Sequence, residues 1–125
     1  AVLETARQKV VKRAVVMANE MKAAGMLVFT LHGSMARYAA WMRPRSSTIY
    51  AVVRTQELAN QLMLNWGVYP IVLPFTLEDA EDRIVEAIRI LVSQRRLEQG
   101  DHLVIVSSIQ AGEAHVDAIQ MRTIP

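Results

Sequence analysis

The chain of 125 residues contains no cysteine. Disulfides, thiolate nucleophiles and thiolate metal sites are therefore excluded, and an oxidising compartment gains no support, so the cytoplasm is the default expectation. There is no excess of either charge. Fourteen basic against 12 acidic side chains leave +2, which does not favour nucleic acid or an anionic membrane as partner. No apolar run approaches the ~20 residues that span a bilayer, and no charged-then-apolar leader opens the chain. The histidines, at positions 32, 102 and 115, lack the i, i+4 spacing of a helical zinc motif. Ser34 has no Gly-x-Ser-x-Gly elbow around it, which removes the serine-hydrolase arrangement. No carboxylate cluster follows Leu31 or Val53, as a response-regulator-like switch would need. With no repeat, low-complexity stretch or linker, a single domain over residues 1–125 is expected. Because Ala1 leads almost directly into a helical pattern, that domain reads as part of a longer polypeptide.

What is present is a 52% apolar composition arranged in alternating periods. From Glu4 to Ala24, Val11, Val15, Ala18 and Met21 recur at helical spacing, and Gly25 is the expected stop. Met26 to Leu31 is a nearly unbroken apolar run, the pattern of a central strand covered on both faces. A helix is expected from Met35 to Met42, ended by Pro44, and a strand over Ile49 to Val53. Thr55 suits an N-cap for a third helix ending near Trp66-Gly67. Tyr69 to Leu73 reads as a strand with Pro70 at its start, where no ladder bond is lost. A fourth helix opens on Thr76 and Asp79 at capping-box spacing, with Glu78, Asp79, Glu81 and Asp82 crowding its amino end and Ala80, Ile84, Ile88 and Leu91 as its stripe. His102 to Ser108 and Val116 to Ile124 complete five strands. Strand alternating with helix implies right-handed parallel crossovers and a three-layer α/β/α domain. The last two strands, joined by only about seven residues, should pair antiparallel, leaving the final strand at the edge.

In such sheets ligands bind at the carboxyl ends of the strands, and a helix amino end there favours anions. The loop Thr30 to Ser34 offers two hydroxyls, His32 and the flexible backbone of Gly33. If the first and fourth strands are neighbours, Ser107, Ser108 and Gln110 face the same crevice. The structural alternative is that Gly33 only makes the turn and Ser34 only caps the helix. The acidic group at the start of the fourth helix is accounted for by the helix dipole. Arg37, Arg43, Arg45 and Arg54 form the densest basic group, and Trp41 and Trp66 have the positions of packing or interface residues.

Several ordered features resemble one family. Ala36-Arg37, Met42-Arg43-Pro44, Ser47 to Val52, Trp66-Gly67-Val68-Tyr69-Pro70-Ile71 and Gly100-Asp101 look like the stretch of pyruvate kinases that reads roughly T-x-S-G-x-S/T-A-R, Y-R-P, P-I-x-A-x-T, R-G-V-x-P and K-G-D. The resemblance runs from the first helix to the last strand and is to the carboxy-terminal domain, which is not catalytic. It implies that phosphoryl transfer from phosphoenolpyruvate to ADP, with Mg and K as cofactors, belongs to a barrel domain of the same polypeptide, with no cofactor in this chain. It further implies a homo-oligomer assembled through this domain and an anionic or sugar-phosphate effector. Carried over by position, the phosphate loop is Thr30, His32, Gly33 and Met35. His32 and Met35 replace hydroxyl residues and Glu113 stands where a phosphate prefers a cation, so an anion other than a bisphosphate is expected, or none. A free-standing anion-binding protein of the same fold is the alternative.

Overall fold

The computed structural model describes residues 6–30, 33–65, 67–73, 79–111 and 114–125, the side chains of 108–111 and 114–116 excepted. Its elements run α1 (Ala6–Met21), β1 (Gly25–Phe29), α2 (Ser34–Met42), β2 (Thr48–Val53), α3 (Gln56–Leu62), β3 (Val68–Val72), α4 (Ala80–Ser93), β4 (His102–Ala111) and β5 (Ala114–Thr123). They form one five-stranded sheet in the order β3-β2-β1-β4-β5. The first four strands are parallel and β5 is antiparallel to β4. The α/β/α layering and the antiparallel last strand are as the sequence led one to expect.

The apolar run becomes the central strand because it is flanked on both sides. Met26, Leu27 and Val28 are fully buried, and they pair with Ile49 to Ala51 of β2 and Val104 to Val106 of β4. Alternation sends their side chains to two cores. Met26, Val28, Val104 and Val106 join Val11, Val15 and Ala18 of α1 and Met35 of α2. Leu27, Leu103 and Ile105 join Ile84, Ala87 and Leu91 of α4 on the other face. Ala36, Ala51, Val53, Ala59 and Leu62 seat α3 beside α2. Three helices thus cover one face and α4 the other.

Several boundaries differ for identifiable reasons. Gly25 does not stop α1 but opens β1, where the Tyr50 ring lies over it. α1 stops instead on Lys22, at φ 51. α3 ends four residues before the expected Trp66-Gly67. Thr55 does cap it, accepting from the Leu58 amide at 3.2 Å. The N-cap of α4 is Asp79 itself, whose carboxylate accepts from the Glu81 amide at 2.8 Å; Thr76 and Glu78 lie outside the described residues. The fully buried stripe of α4 is Ile84, Ala87 and Leu91, with Ala80 and Ile88 half-buried. Pro70 sits in the middle of β3, not at its start, which the sheet tolerates because β3 is an edge strand. Arg89 and Glu86 form an exposed pair on α4, the hydrogen bond from Arg89 holding the Glu86 carboxyl below its ordinary range.

The largest departure is the β4–β5 connection. No seven-residue loop exists: the strands continue pairing to Ala111 and Ala114, so five residue pairs extend past the last contact of β4 with β1 at Val106. The predicted crevice loop is therefore the arm of a hairpin.

Candidate anion crevice

The strand order reverses between β1 and β4: the chain winds from β1 to β2 to β3, then returns to the far side of β1. The loop after β1 opens at that switch point, where ligands collect in open α/β sheets.

Thr30, buried, continues β1 by donating its amide to the Val52 carbonyl at 3.2 Å. Its Oγ1 accepts from the Gly33 amide at 2.8 Å, which leaves the hydroxyl proton to donate elsewhere. Gly33 is the N-cap of α2 at φ 93, ψ −9, a conformation glycine adopts without strain. The Gly33 carbonyl receives the first helical bond, from the Arg37 amide at 3.0 Å. The amides of Ser34, Met35 and Ala36 accordingly have no acceptor within the helix. Ser34 does not cap α2, since no side chain does, and no acidic residue lies in its first turn. In α3 and α4, by contrast, Thr55 and Asp79 cap the amino ends and acidic residues follow. The end of α2 thus presents donors and the positive pole of the helix dipole to whatever enters the loop.

The site residues named from the sequence do not form one cluster. Thr30, Gly33 and Ser34 come together, with Ser34 exposed. Met35 turns inward to the core formed with α1 and offers the loop no side-chain donor. Ser107 is next along β4, but Leu103 and Ile105 before it belong to the α4 core and Val104 and Val106 to the other, so alternation sends its hydroxyl to the α4 side, away from Thr30. It is only 4% exposed, and among the described residues its Oγ and the Arg83 Nε are the buried side-chain polar atoms without a partner. Ser108 and Gln110 lie in the hairpin arm, paired with Asp117 and His115. Their side chains, and His32 entirely, lie outside the described residues, as does Glu113.

Arg37, which the sequence placed in a basic group and in the Ala36-Arg37 part of the family motif but not among the site residues, is the residue the structure adds. A Cβ on Gly33 would lie 3.1 Å from its Nη1 and 3.2 Å from Leu58 Cδ1, so the guanidinium overlies the loop. Its position four after Gly33, one turn up the same helix face, was the signal available in the sequence. Among the described residues no group of three or more His, Asp or Glu side chains could hold a metal, and no helix is long and apolar enough to cross a membrane.

Comparisons with known proteins agree with this architecture. The family model described as "Pyruvate kinase, alpha/beta domain" matches residues 8–121. Plastidial pyruvate kinase 3, chloroplastic, of Arabidopsis thaliana is 36% identical over 93 residues, covering 74% of this chain and 16% of that protein. A pyruvate kinase of Methylorubrum extorquens is 33% identical over 87 residues, covering 70% of this chain and 18% of its own. In structure, the Cryptosporidium parvum pyruvate kinase solved in complex with ADP superposes on the whole chain with a TM-score of 0.90 at 23% identity, this chain matching 25% of that one. The chain spans a quarter or less of the proteins it is matched to. It belongs to the pyruvate kinase α/β domain family.

Proposed function

We propose that the chain is the regulatory and subunit-assembly domain of a pyruvate kinase whose phosphoryl transfer, from phosphoenolpyruvate to ADP with Mg and K as cofactors, is carried out by a barrel domain of the same polypeptide. The cytoplasm is its proposed compartment, on the absence of cysteine, although several relatives carry "chloroplastic" in their names. The observation that carries the regulatory part is the uncapped amino end of α2 at the switch point, with the Thr30 hydroxyl and the Arg37 guanidinium beside it. These groups suit a small anion or a single phosphate. Met35, buried in the core, removes a donor that a second phosphate would use. An effector bound here shifts the enzyme only by the difference of its affinities for the less and more active states.

Assembly is read from the two sheet edges. β3 is a five-residue edge with Pro70 in its middle, which blunts pairing, whereas β5 is a ten-residue edge without proline. A second copy is therefore expected to join along β5.

The site is tested by thermal unfolding in rising concentrations of inorganic phosphate and of a sugar phosphate. The expected result is a saturable rise in Tm that Gly33→Val abolishes, because a β-branched residue at φ 93 is strained and its Cβ meets Arg37 and Leu58. Circular dichroism and mass establish that the variant folds and associates as before. Unchanged affinity in a folded Gly33→Val variant removes the loop as the site. A reading frame that encodes no β/α barrel with this chain sinks the assignment to a parent enzyme.

A further inference from the structure

The anion crevice makes no use of Arg43-Pro44-Arg45. This part of the basic group lies in the loop from α2 to β2, at the opposite end of the sheet from Thr30 and Gly33. Position 43 has a structural account. At φ 49 it closes α2, its amide donating to the Ala40 carbonyl at 3.1 Å, and a cation there suits the negative pole of the helix. Nothing comparable accounts for the Arg45 side chain. Among the described residues neither guanidinium has an ion pair or hydrogen bond, whereas Arg89 and Arg122 each hold a carboxylate and Arg96 lies over Tyr69. No acidic residue occurs from position 21 to 56. Beside these cations is Ser46, exposed at the bend of the loop. The chain is anchored on both sides of it: the Arg45 amide donates to Asn19 Oδ1 at 2.9 Å, and Ser47 Oγ donates to the Ala23 carbonyl at 2.7 Å. The Ser47 hydroxyl is thus engaged and half-buried, and Thr48 opens β2. The Ser46 hydroxyl is exposed and, among the described residues, without a partner.

We infer that Ser46 is a phosphorylation site for an arginine-directed serine kinase, and that Arg43 and Arg45 hold the phosphate once it is attached. Before transfer, the two arginines are the cations ahead of the acceptor that such a kinase reads with its own carboxylates. In the transfer, Ser46 Oγ attacks the γ-phosphorus of ATP, and the new O–P bond forms as the bond to the β–γ bridging oxygen breaks. ADP leaves, and the hydroxyl proton passes to the carboxylate base of the kinase. Afterwards the guanidiniums hold the phosphate through charge-assisted hydrogen bonds. Lys22, exposed between the two anchor points on the α1 side, adds a third cation. Phosphoserine carries about −1.5 to −2 at pH 7, so the +2 of Arg43 and Arg45 is close to neutralised. Modification therefore works as a charge switch on this loop and ties it more firmly to the end of α1. The site is made by this chain alone and does not depend on the parent-enzyme reading.

The test incubates the 125-residue chain with Mg, ATP and the catalytic subunit of cyclic-AMP-dependent protein kinase, which selects arginine before its serine. A casein kinase, which selects acidic residues after the acceptor, is run in parallel. Tandem mass spectrometry locates the phosphate. One phosphoryl group on Ser46 is expected from the first kinase and none there from the second. Arg43→Gln should slow labelling roughly ten-fold or more, through loss of a charge-assisted contact, and Arg43→Lys should slow it less. Both replacements are at an exposed position, so the Tm of the unlabelled variants stays within about 2 °C of the parent chain; Ser46→Ala supplies the background. Labelled chain should melt about 1–4 °C above unlabelled chain at low salt. Arg45→Gln should remove most of that gain, and added salt should screen it. Phosphate found on another residue in place of Ser46, labelling indifferent to Arg43→Gln, or a labelled chain no more stable than the unlabelled one overturns the inference. Protein purified with phosphatase inhibitors from the cells that make it should carry phosphate on Ser46 in a measurable fraction of copies, and its absence there also overturns the inference.

Discussion

Gly25 shows how one missing methyl holds two strands together. A Cβ there would lie 2.6 Å from Tyr50 Cε2, 2.9 Å from Cδ2 and 3.3 Å from Leu103 Cδ1. Tyr50 is itself held, its ring edge-on to Tyr69 with centroids 6.0 Å apart, and Tyr69 lies beneath the Arg96 guanidinium at 3.5 Å. The aromatic ring therefore has little room to retreat. Gly25→Ala is expected to destabilise the chain by about 1–3 kcal/mol, the usual cost of overpacking, read as a lower urea midpoint with an unchanged m-value. An unaltered midpoint would mean that the Tyr50 ring moves aside without loss. At this scale the sequence alone was a poor guide: Gly25 looked like the end of a helix because what makes glycine necessary is a side chain 25 positions away. Thr30 and Gly33 were visible as a loop, but the inward turn of Met35 and the arrival of Arg37 over Gly33 depend on how α2 is rotated against α1 and α3.

Helix ends tell a related story at the scale of elements. α1 closes with the Lys22 amide on the Asn19 carbonyl (3.2 Å) and the Ala23 amide on the Ala18 carbonyl (3.0 Å). After α4, the Arg95 amide donates to the Val92 carbonyl at 3.0 Å and the Arg96 amide to the Leu91 carbonyl at 2.9 Å. Both are Schellman closures, in which the left-handed position normally falls to glycine. Here it is held by Lys22 at φ 51 and Arg95 at φ 59. The cationic side chain near the negative pole of the helix offsets part of the strain. Lys22→Gly and Arg95→Gly should each stabilise by up to about 1 kcal/mol, the steric cost of that conformation less the lost charge contribution. Chemical denaturation measures it, and destabilisation in both would show that charge outweighs strain. Element type and order were legible because a run such as Met26 to Leu31 or a cap such as Thr55 carries its signal locally. The ends were less so: the stops at Lys22 and Leu62 carry no glycine or proline, and the continued pairing of β4 with β5 is decided by cross-strand partners rather than by local composition.

For the whole molecule, the decisive contrast is between its two sheet edges. One is short and interrupted by Pro70; the other is ten residues long. β5 is also tied to the layer behind it, since Arg122 donates twice to the Glu81 carboxylate of α4 at 2.5 and 2.7 Å. The edge is thus held in place for pairing, and light scattering of the isolated chain should show a mass that rises to at least a dimer with concentration. A strictly monomeric mass at the highest attainable concentration would count against assembly through this domain.

The position of β1 at the centre of the sheet also has a consequence for synthesis on the ribosome. β1 and β2 are made early and can pair at once, but the other side of β1 is completed only by β4, ~75 residues downstream. At ~5–20 residues per second that leaves one edge of the most apolar strand open for several seconds in every nascent chain. Translational pausing before residue 103 would lengthen that interval, during which the open side of β1 is exposed to wrong pairing.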